Sequence, residues 1–118
     1  MVVRRVVPNL FDPDPASTKD FYAGVFELDV AMDLGWIVTL ASPATAAAQI
    51  SIFEPDAEEG RDPVVSIEVD DVDSVHARAV ELGHRIVYEL RDEPWGVRRF
   101  MLRDPAGRVV NVLSHSDA

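Results

Sequence analysis

The sequence predicts an α+β fold of two tandem β-α-β-β-β modules. Three observations carry that prediction. A β-rich segment with an acidic cap and an amphipathic helix begins at Val7–Asp14 and returns 57 positions later at Val64–Asp71. Moving Thr18, Tyr22 and Val25 by the same 57 positions lands on Val75, Ala79 and Leu82, so the two helical stripes coincide. Each helix is then followed by three short segments of β character separated by Gly, Pro and Asp turns. The 118 residues suit one domain, with module one over residues 1–56, a linker over 57–62 and module two over 63–118.

The elements follow in order. Val2–Leu10 is β-rich and ends in the turn Phe11-Asp12-Pro13-Asp14-Pro15. Asp14 is expected to accept from the first free amides of a helix, and Pro15 suits the first helical position because its absent N–H would have no partner there. Thr18, Phe21, Tyr22, Val25 and Phe26 then fall on one helical face. Strands are expected at Leu28–Met32, Trp36–Ala41 and Gln49–Phe53, and the polar stretch Glu54–Asp62 leads to the second module. There Pro63–Val69 is a strand and Asp71 a cap. Val72, Val75, Ala79 and Leu82 form the helical stripe, which stops at Gly83. Arg85–Leu90, Val97–Arg103 and Arg108–Leu113 complete the module, the last two joined by Asp104-Pro105-Ala106-Gly107. Aligning Gln49 with Asn111 gives an offset of 62, which assigns about five extra residues to module two, in the Asp92–Gly96 loop.

Alternation sorts the strand faces. Val6, Pro8 and Leu10, then Ile50 and Ile52, then Val65, Ile67 and Val69, then Val110 and Val112 form aliphatic faces suited to lie beneath a helix. The opposite faces are mixed: Val7 and Asn9; Gln49, Ser51 and Phe53; Val64, Ser66 and Glu68; Val109, Asn111 and Leu113. A mixed face opposite a packed one suits solvent, a ligand or a partner subunit.

Composition removes several classes. With no cysteine, the chain has neither disulfides nor thiolate metal sites. No apolar run reaches the roughly 18 residues of a membrane span, and the N-terminus lacks a secretory apolar core. A cytoplasmic protein is expected. Net charge is −10, with −7 on residues 1–60 (ten acids, three bases) and −3 on residues 61–118 (eleven acids, eight bases). That field repels phosphate backbones, so nucleic acid is not an expected partner, and it favours cationic ones.

The paired modules resemble the vicinal oxygen chelate superfamily, the group of glyoxalase I, ring-cleaving dioxygenases, some epimerases and bleomycin-resistance proteins. The resemblance rests on Asp20-Phe21-Tyr22 in the first helix, Val69-Asp70-Asp71 before the second, Glu93-Pro94-Trp95-Gly96, and Asp104-Pro105-Ala106-Gly107 before the last strand. It implies a curved mixed sheet around a central cavity, each module curling its strands into half of a cup, and a homodimer that completes it. Metal-dependent members carry His or Glu on the first, fourth, fifth and eighth strands, and the matching positions here are Val7, Gln49, Val64 and Asn111. Valines cannot ligate, and neutral amides are poor ligands for zinc or iron. The expectation is no metal and no cofactor, with a character nearest the bleomycin-resistance members, which sequester a cationic drug.

The expected function is therefore metal-independent binding of a small, partly aromatic, possibly cationic molecule such as an antibiotic. The alternatives are a glyoxalase-type lyase, isomerase or dioxygenase with a non-standard metal site, and a non-catalytic interaction module. Candidate ligand-binding residues are Val7, Asn9, Gln49, Ser51 and Phe53 from module one, and Val64, Ser66, Glu68, Trp95 and Asn111 from module two. Trp95, between a proline and a glycine, can close over a cavity mouth; Trp36 and Phe100 are read as core rings. Glu68 can receive a cation or act as a base. Arg98 and Arg99 point to opposite faces, so one at most looks inward. His76, His84 and His115 are expected at the surface or at caps, away from any carboxylate on their strand face, and no catalytic residue is assigned.

Overall fold

The computed structural model describes residues 1–45, 47–56 and 62–115. It is α+β, with eight strands and two helices among the described residues. In order these are β1 (Val3–Phe11), α1 (Pro15–Phe26), β2 (Asp29–Asp33), β3 (Ile37–Ala41), β4 (Gln49–Phe53), β5 (Val65–Val69), α2 (Val72–Glu81), β6 (Ile86–Asp92), β7 (Val97–Arg103) and β8 (Val109–His115). The chain divides into two compact units, Val7–Ala57, and Met1–Val6 together with Glu58–Ala118. Of the linker expected over residues 57–62, positions 57–61 lie outside the described residues. No described helix is long and apolar enough to cross a membrane.

In the first unit the strand order is β2-β3-β4-β1, with β1 parallel to β4 and the other pairs antiparallel. Its core is Val38, Leu40 and Ile52, packed by Leu10, Tyr22, Leu28 and Ile50. That is the aliphatic face expected from alternation, except that Val6 and Pro8 stay exposed and only Leu10 of β1 reaches the core. Helix α1 also departs from expectation. Tyr22 packs inward, but Phe21, Val25 and Phe26 are each more than half exposed, and the two phenylalanine rings meet edge-on at 6.4 Å. Asp14 does not cap the helix amides. Its carboxylate accepts the Ser17 hydroxyl at 2.7 Å, and Asp12 holds the turn by accepting from the Asp14 amide and the Thr18 hydroxyl.

The second unit has the order β5-β8-β7-β6, with β5 parallel to β8 and the first residues of β1 beside β5. Val69, Val72, Ala79, Phe100 and Val112 form its core. Phe100 is fully buried, as expected, and takes the His76 ring edge-on at 4.9 Å. His76 is therefore a core-facing side chain rather than a surface one: its position on α2 lies over β7, where the ring replaces aliphatic packing. Asp71 caps α2 as expected, accepting from the Ser74 amide at 3.2 Å. Gly83 ends the helix with φ +79°, its amide donating to Val80 and that of His84 to Ala79. Such a left-handed glycine stop satisfies carbonyls that the helix itself leaves open.

Pairing registers correct the internal alignment. Asn9 pairs with Ser51 and Ser66 pairs with Asn111. Asn9 to Ser66 is the expected shift of 57, but Ser51 to Asn111 is a shift of 60. Strand β7 sits at 62, since Thr39 pairs with Ser51 as Met101 pairs with Asn111. Module two thus gains five residues before β7 and loses two in the β7–β8 turn. The counterpart of Asn111 is therefore Ser51, and Gln49 matches Val109.

Candidate functional site

Strand periodicity places most of the candidate residues on one face of each unit. In the first unit Val7, Asn9, Ser51 and Phe53 are all at least nine-tenths buried, and Gln49 is partly so. The Ser51 hydroxyl shares a 2.8 Å hydrogen bond with that of Thr39, its cross-strand partner. Phe53 meets Phe11 at 5.7 Å and Trp36 at 5.9 Å between ring centroids. These candidate residues are all neutral, bonded by hydroxyls and closed by three rings. Trp36, read from sequence as a core ring, belongs to that aromatic group.

In the second unit Ser66 and Asn111 are buried side by side, and the Asn111 Nδ2 donates to the Ser66 hydroxyl at 3.1 Å. Val64 stands apart: it precedes β5, is 44% exposed, and bonds through its amide to the Val109 carbonyl. Two ionic clusters flank Leu113. In one, Glu68 accepts from Arg5 Nε at 2.5 Å and from His115 Nδ1. Burial pushes the Glu68 carboxyl up, but the hydrogen bonds and charges of Arg5 and His115 outweigh it and hold the group below the usual carboxylate range.

This pairing corrects the expectation that no histidine shares a strand face with a carboxylate. Strand β8 runs on to His115, and alternation from Asn111 through Leu113 carries the imidazole to the Glu68 side. The signal was present in the sequence; it was lost by ending the strand at Leu113.

The other cluster centres on Glu93, which sequence reasoning singled out only as part of a turn. The Glu93-Pro94-Trp95-Gly96 segment is a tight β6–β7 turn, closed by the Glu93 amide on the Val97 carbonyl at 2.7 Å and by Gly96 at φ +89°. It folds the Glu93 carboxylate inward, where Tyr88 Oη donates at 2.9 Å, Arg91 Nε at 2.7 Å and Arg99 Nε at 3.0 Å. The Arg99 guanidinium lies over the Tyr88 ring at 4.8 Å and the Trp95 ring at 5.0 Å. Burial raises the Glu93 pKa, and the Arg91 and Tyr88 hydrogen bonds with the Arg99 charge lower it by more. Arg98 and Arg99 do point to opposite faces. Arg98 pairs with Asp73 on α2, and Arg99 faces inward but is occupied by Glu93.

These donors do not fit a zinc or iron centre. The first-, fourth-, fifth- and eighth-strand set is Val7, Gln49, Val64 and Asn111, or, with the corrected register, Val7, Gln49, Val64 and Val109. Shifting two residues along the strands gives Asn9, Ser51, Ser66 and Asn111, all neutral. None supplies an imidazole or carboxylate. The nearest ionisable pair, Glu68 with His115, already holds the Arg5 cation against its carboxylate.

Residues 4–112 match the family model of the Glyoxalase/Bleomycin resistance protein/Dioxygenase superfamily. No curated protein matches the sequence. Among solved structures, the chain is similar to a glyoxalase/bleomycin resistance protein/dioxygenase superfamily member from Vibrio splendidus 12B01, at 19% identity and TM-score 0.68, covering 96% of this chain and 99% of that one. It is similar to the methylmalonyl-CoA epimerase of Mycobacterium tuberculosis, at 20% identity and TM-score 0.68, covering 96% and 87%. It is also similar to the Mn(II)-bound glyoxalase of Novosphingobium aromaticivorans, at 21% identity and TM-score 0.66, covering 95% of this chain and 38% of that one. At these identities the structures establish the fold, and the match across residues 4–112 establishes that the chain belongs to the superfamily.

Proposed function

We propose that this superfamily member binds a small, partly aromatic molecule without a metal and without transforming it, as a cytoplasmic homodimer. The observation that carries the reading is the replacement of ionisable donors by neutral ones. The buried pairs Asn9/Ser51 and Ser66/Asn111 stand on the faces where metal-dependent relatives carry His or Glu. Amides and hydroxyls can orient a guest, and each unit offers a ring that can stack on one, Phe53 in the first and Trp95 in the second. The charge of −10 draws cationic guests toward the protein at long range.

A thermal-shift screen of planar antibiotics and small metabolites, with and without divalent ions, tests the proposal. A guest at about 100 times its dissociation constant adds roughly 2.7 kcal/mol of stability. The hit binds equally with chelator present, and Phe53→Ala or Trp95→Ala weakens it, according to the unit it occupies. Dependence of binding on an added metal overturns the reading. A second reading, lyase or isomerase chemistry, draws on the Glu68–His115 contact as an acid–base pair. Turnover abolished by His115→Gln would establish it in place of the first.

A further inference from the structure

The internal duplication exposes one broken equivalence. In module one the Ser51 hydroxyl is bonded by Thr39 across the strand. At the corresponding place in module two, Asn111 faces Met101, whose thioether has no proton to donate. Asn111 is 5% exposed, one N–H of its Nδ2 goes to Ser66, and its Oδ1 has no hydrogen-bond partner among the described residues. A buried carbonyl oxygen left so is costly, and its partner must be a donor.

The surrounding charges define that donor further. On β5, Glu68 is matched by Arg5, with His115 on its second oxygen. On β7, Arg99 is matched by Glu93, whose other oxygen takes the largely exposed Arg91 of β6. Arg103, farther along β7, gives Nη1 to the Gly107 carbonyl in the exposed turn, and its buried Nε has no hydrogen-bond partner among the described residues. The remaining neighbours, Met101, Val109 and Tyr88, form an uncharged cluster. The buried carboxylates are thus each answered within the unit, so an ammonium arriving here would find no counter-ion to spare, and a carboxylate has no proton to give to Oδ1.

Resting on the binding function proposed above, we infer that the Asn111 Oδ1 is the recognition point for a neutral hydrogen-bond donor on an apolar or aromatic guest: an amide N–H or a hydroxyl, not an ammonium and not a carboxylate. A cationic centre on the same guest, if present, is read elsewhere by the protein's overall charge.

Four matched probes test this by calorimetric titration at high ionic strength, which suppresses the long-range field. They are benzamide (neutral donor), methyl benzoate (acceptor only), benzylammonium and benzoate. Benzamide is expected to bind tightest, and to shift the Asn111 side-chain amide resonances. Asn111→Asp keeps the acceptor and adds charge, and is expected to invert the order of benzamide and benzylammonium. Met101→Thr supplies the donor that module one has, and is expected to weaken benzamide about tenfold, the worth of roughly one hydrogen bond. Circular dichroism on both variants confirms that each is folded. Equal or tighter binding of methyl benzoate or of either ion to the unmodified protein overturns the inference while leaving the binding function standing. An ordered water retained on Oδ1 in the benzamide complex overturns it likewise. No binding by any of the four overturns the inference and the binding function together.

Discussion

The two modules share a plan and differ in how they fasten it. Module one joins β3 to β4 with a Thr39–Ser51 hydroxyl pair, closes its face with Phe11, Phe53 and Trp36, and has no ion pair on that face among the described residues. Module two uses Glu68 with Arg5 and His115, and Glu93 with Arg91, Arg99 and Tyr88. Their helices differ in the same sense. Helix α2 has a bonded cap and a glycine stop, whereas α1 lacks a capping bond and ends with Glu27 at φ +55°. Duplication has kept what alternation enforces, the aliphatic face under each helix and an Asn/Ser pair opposite. The polar fastening has diverged, because many hydrogen-bonding solutions satisfy the same backbone geometry.

The sharpest way to break that comparison is to remove one fastening from each module. Glu93→Gln leaves Arg99 buried without its counter-charge, and should destabilise the protein by about 3–5 kcal/mol. Thr39→Val leaves only the Ser51 hydroxyl unanswered, and should cost about 1–3 kcal/mol. Urea denaturation measures both. Equal losses would mean that the Glu93 cluster is solvated and no tighter than a hydroxyl pair.

Acid probes the ionic fastening of module two by the same logic. The carboxyls of Glu68 and Glu93 are held below their ordinary value of 4.5 in the folded protein. The unfolded chain therefore binds more protons than the native one in this range, and the stability these groups contribute is full above about 4.5. It is lost as the pH falls through their folded values. Urea midpoints taken from neutral pH downward should fall more steeply for the unmodified protein than for a Glu68→Gln/Glu93→Gln variant. Parallel curves would show that neither carboxyl is linked to folding.

How much of this was readable in the residues follows from which contacts are local. Alternation in Gln49–Phe53 and Val97–Arg103 fixes strand bounds and faces, because a period of two leaves no other arrangement for those side chains. The Asp71 cap and the Gly83 stop were readable for the same reason: each is decided within a few residues. Glu93 was not readable as a buried group, since its place depends on how a turn aims it at Arg99 from the next strand. The equivalence of Asn111 with Ser51 was hidden by two length changes of opposite sign, five residues before β7 and two after it. His115 was missed by two residues of strand length. Asp14 looks like Asp71 in sequence, yet Ser17 supplies a nearer hydroxyl donor that the second helix, with Ser74 presenting its amide, does not use.

That last contrast sets the next prediction. Asp71→Ala should cost about 1 kcal/mol, a typical value for a bonded cap, and Asp14→Ala less than about half of that, since no helix amide loses a partner. Thermal denaturation of the two variants under one buffer decides it, and equal shifts would mean that the α1 amides do rely on Asp14.

The smallest effect has the opposite sign. Glu27 is the one described residue other than glycine with positive φ, and it sits where α2 has its glycine stop one position later. A side chain in that left-handed region carries a steric penalty of about 1 kcal/mol, part of which glycine returns as extra entropy of the unfolded chain. Glu27→Gly should therefore raise stability by a net ~0.5 kcal/mol, giving α1 the ending α2 already has. A lower melting temperature would show that the Glu27 side chain makes a stabilising contact that outweighs its strain, and that the two helices end differently for a reason other than drift.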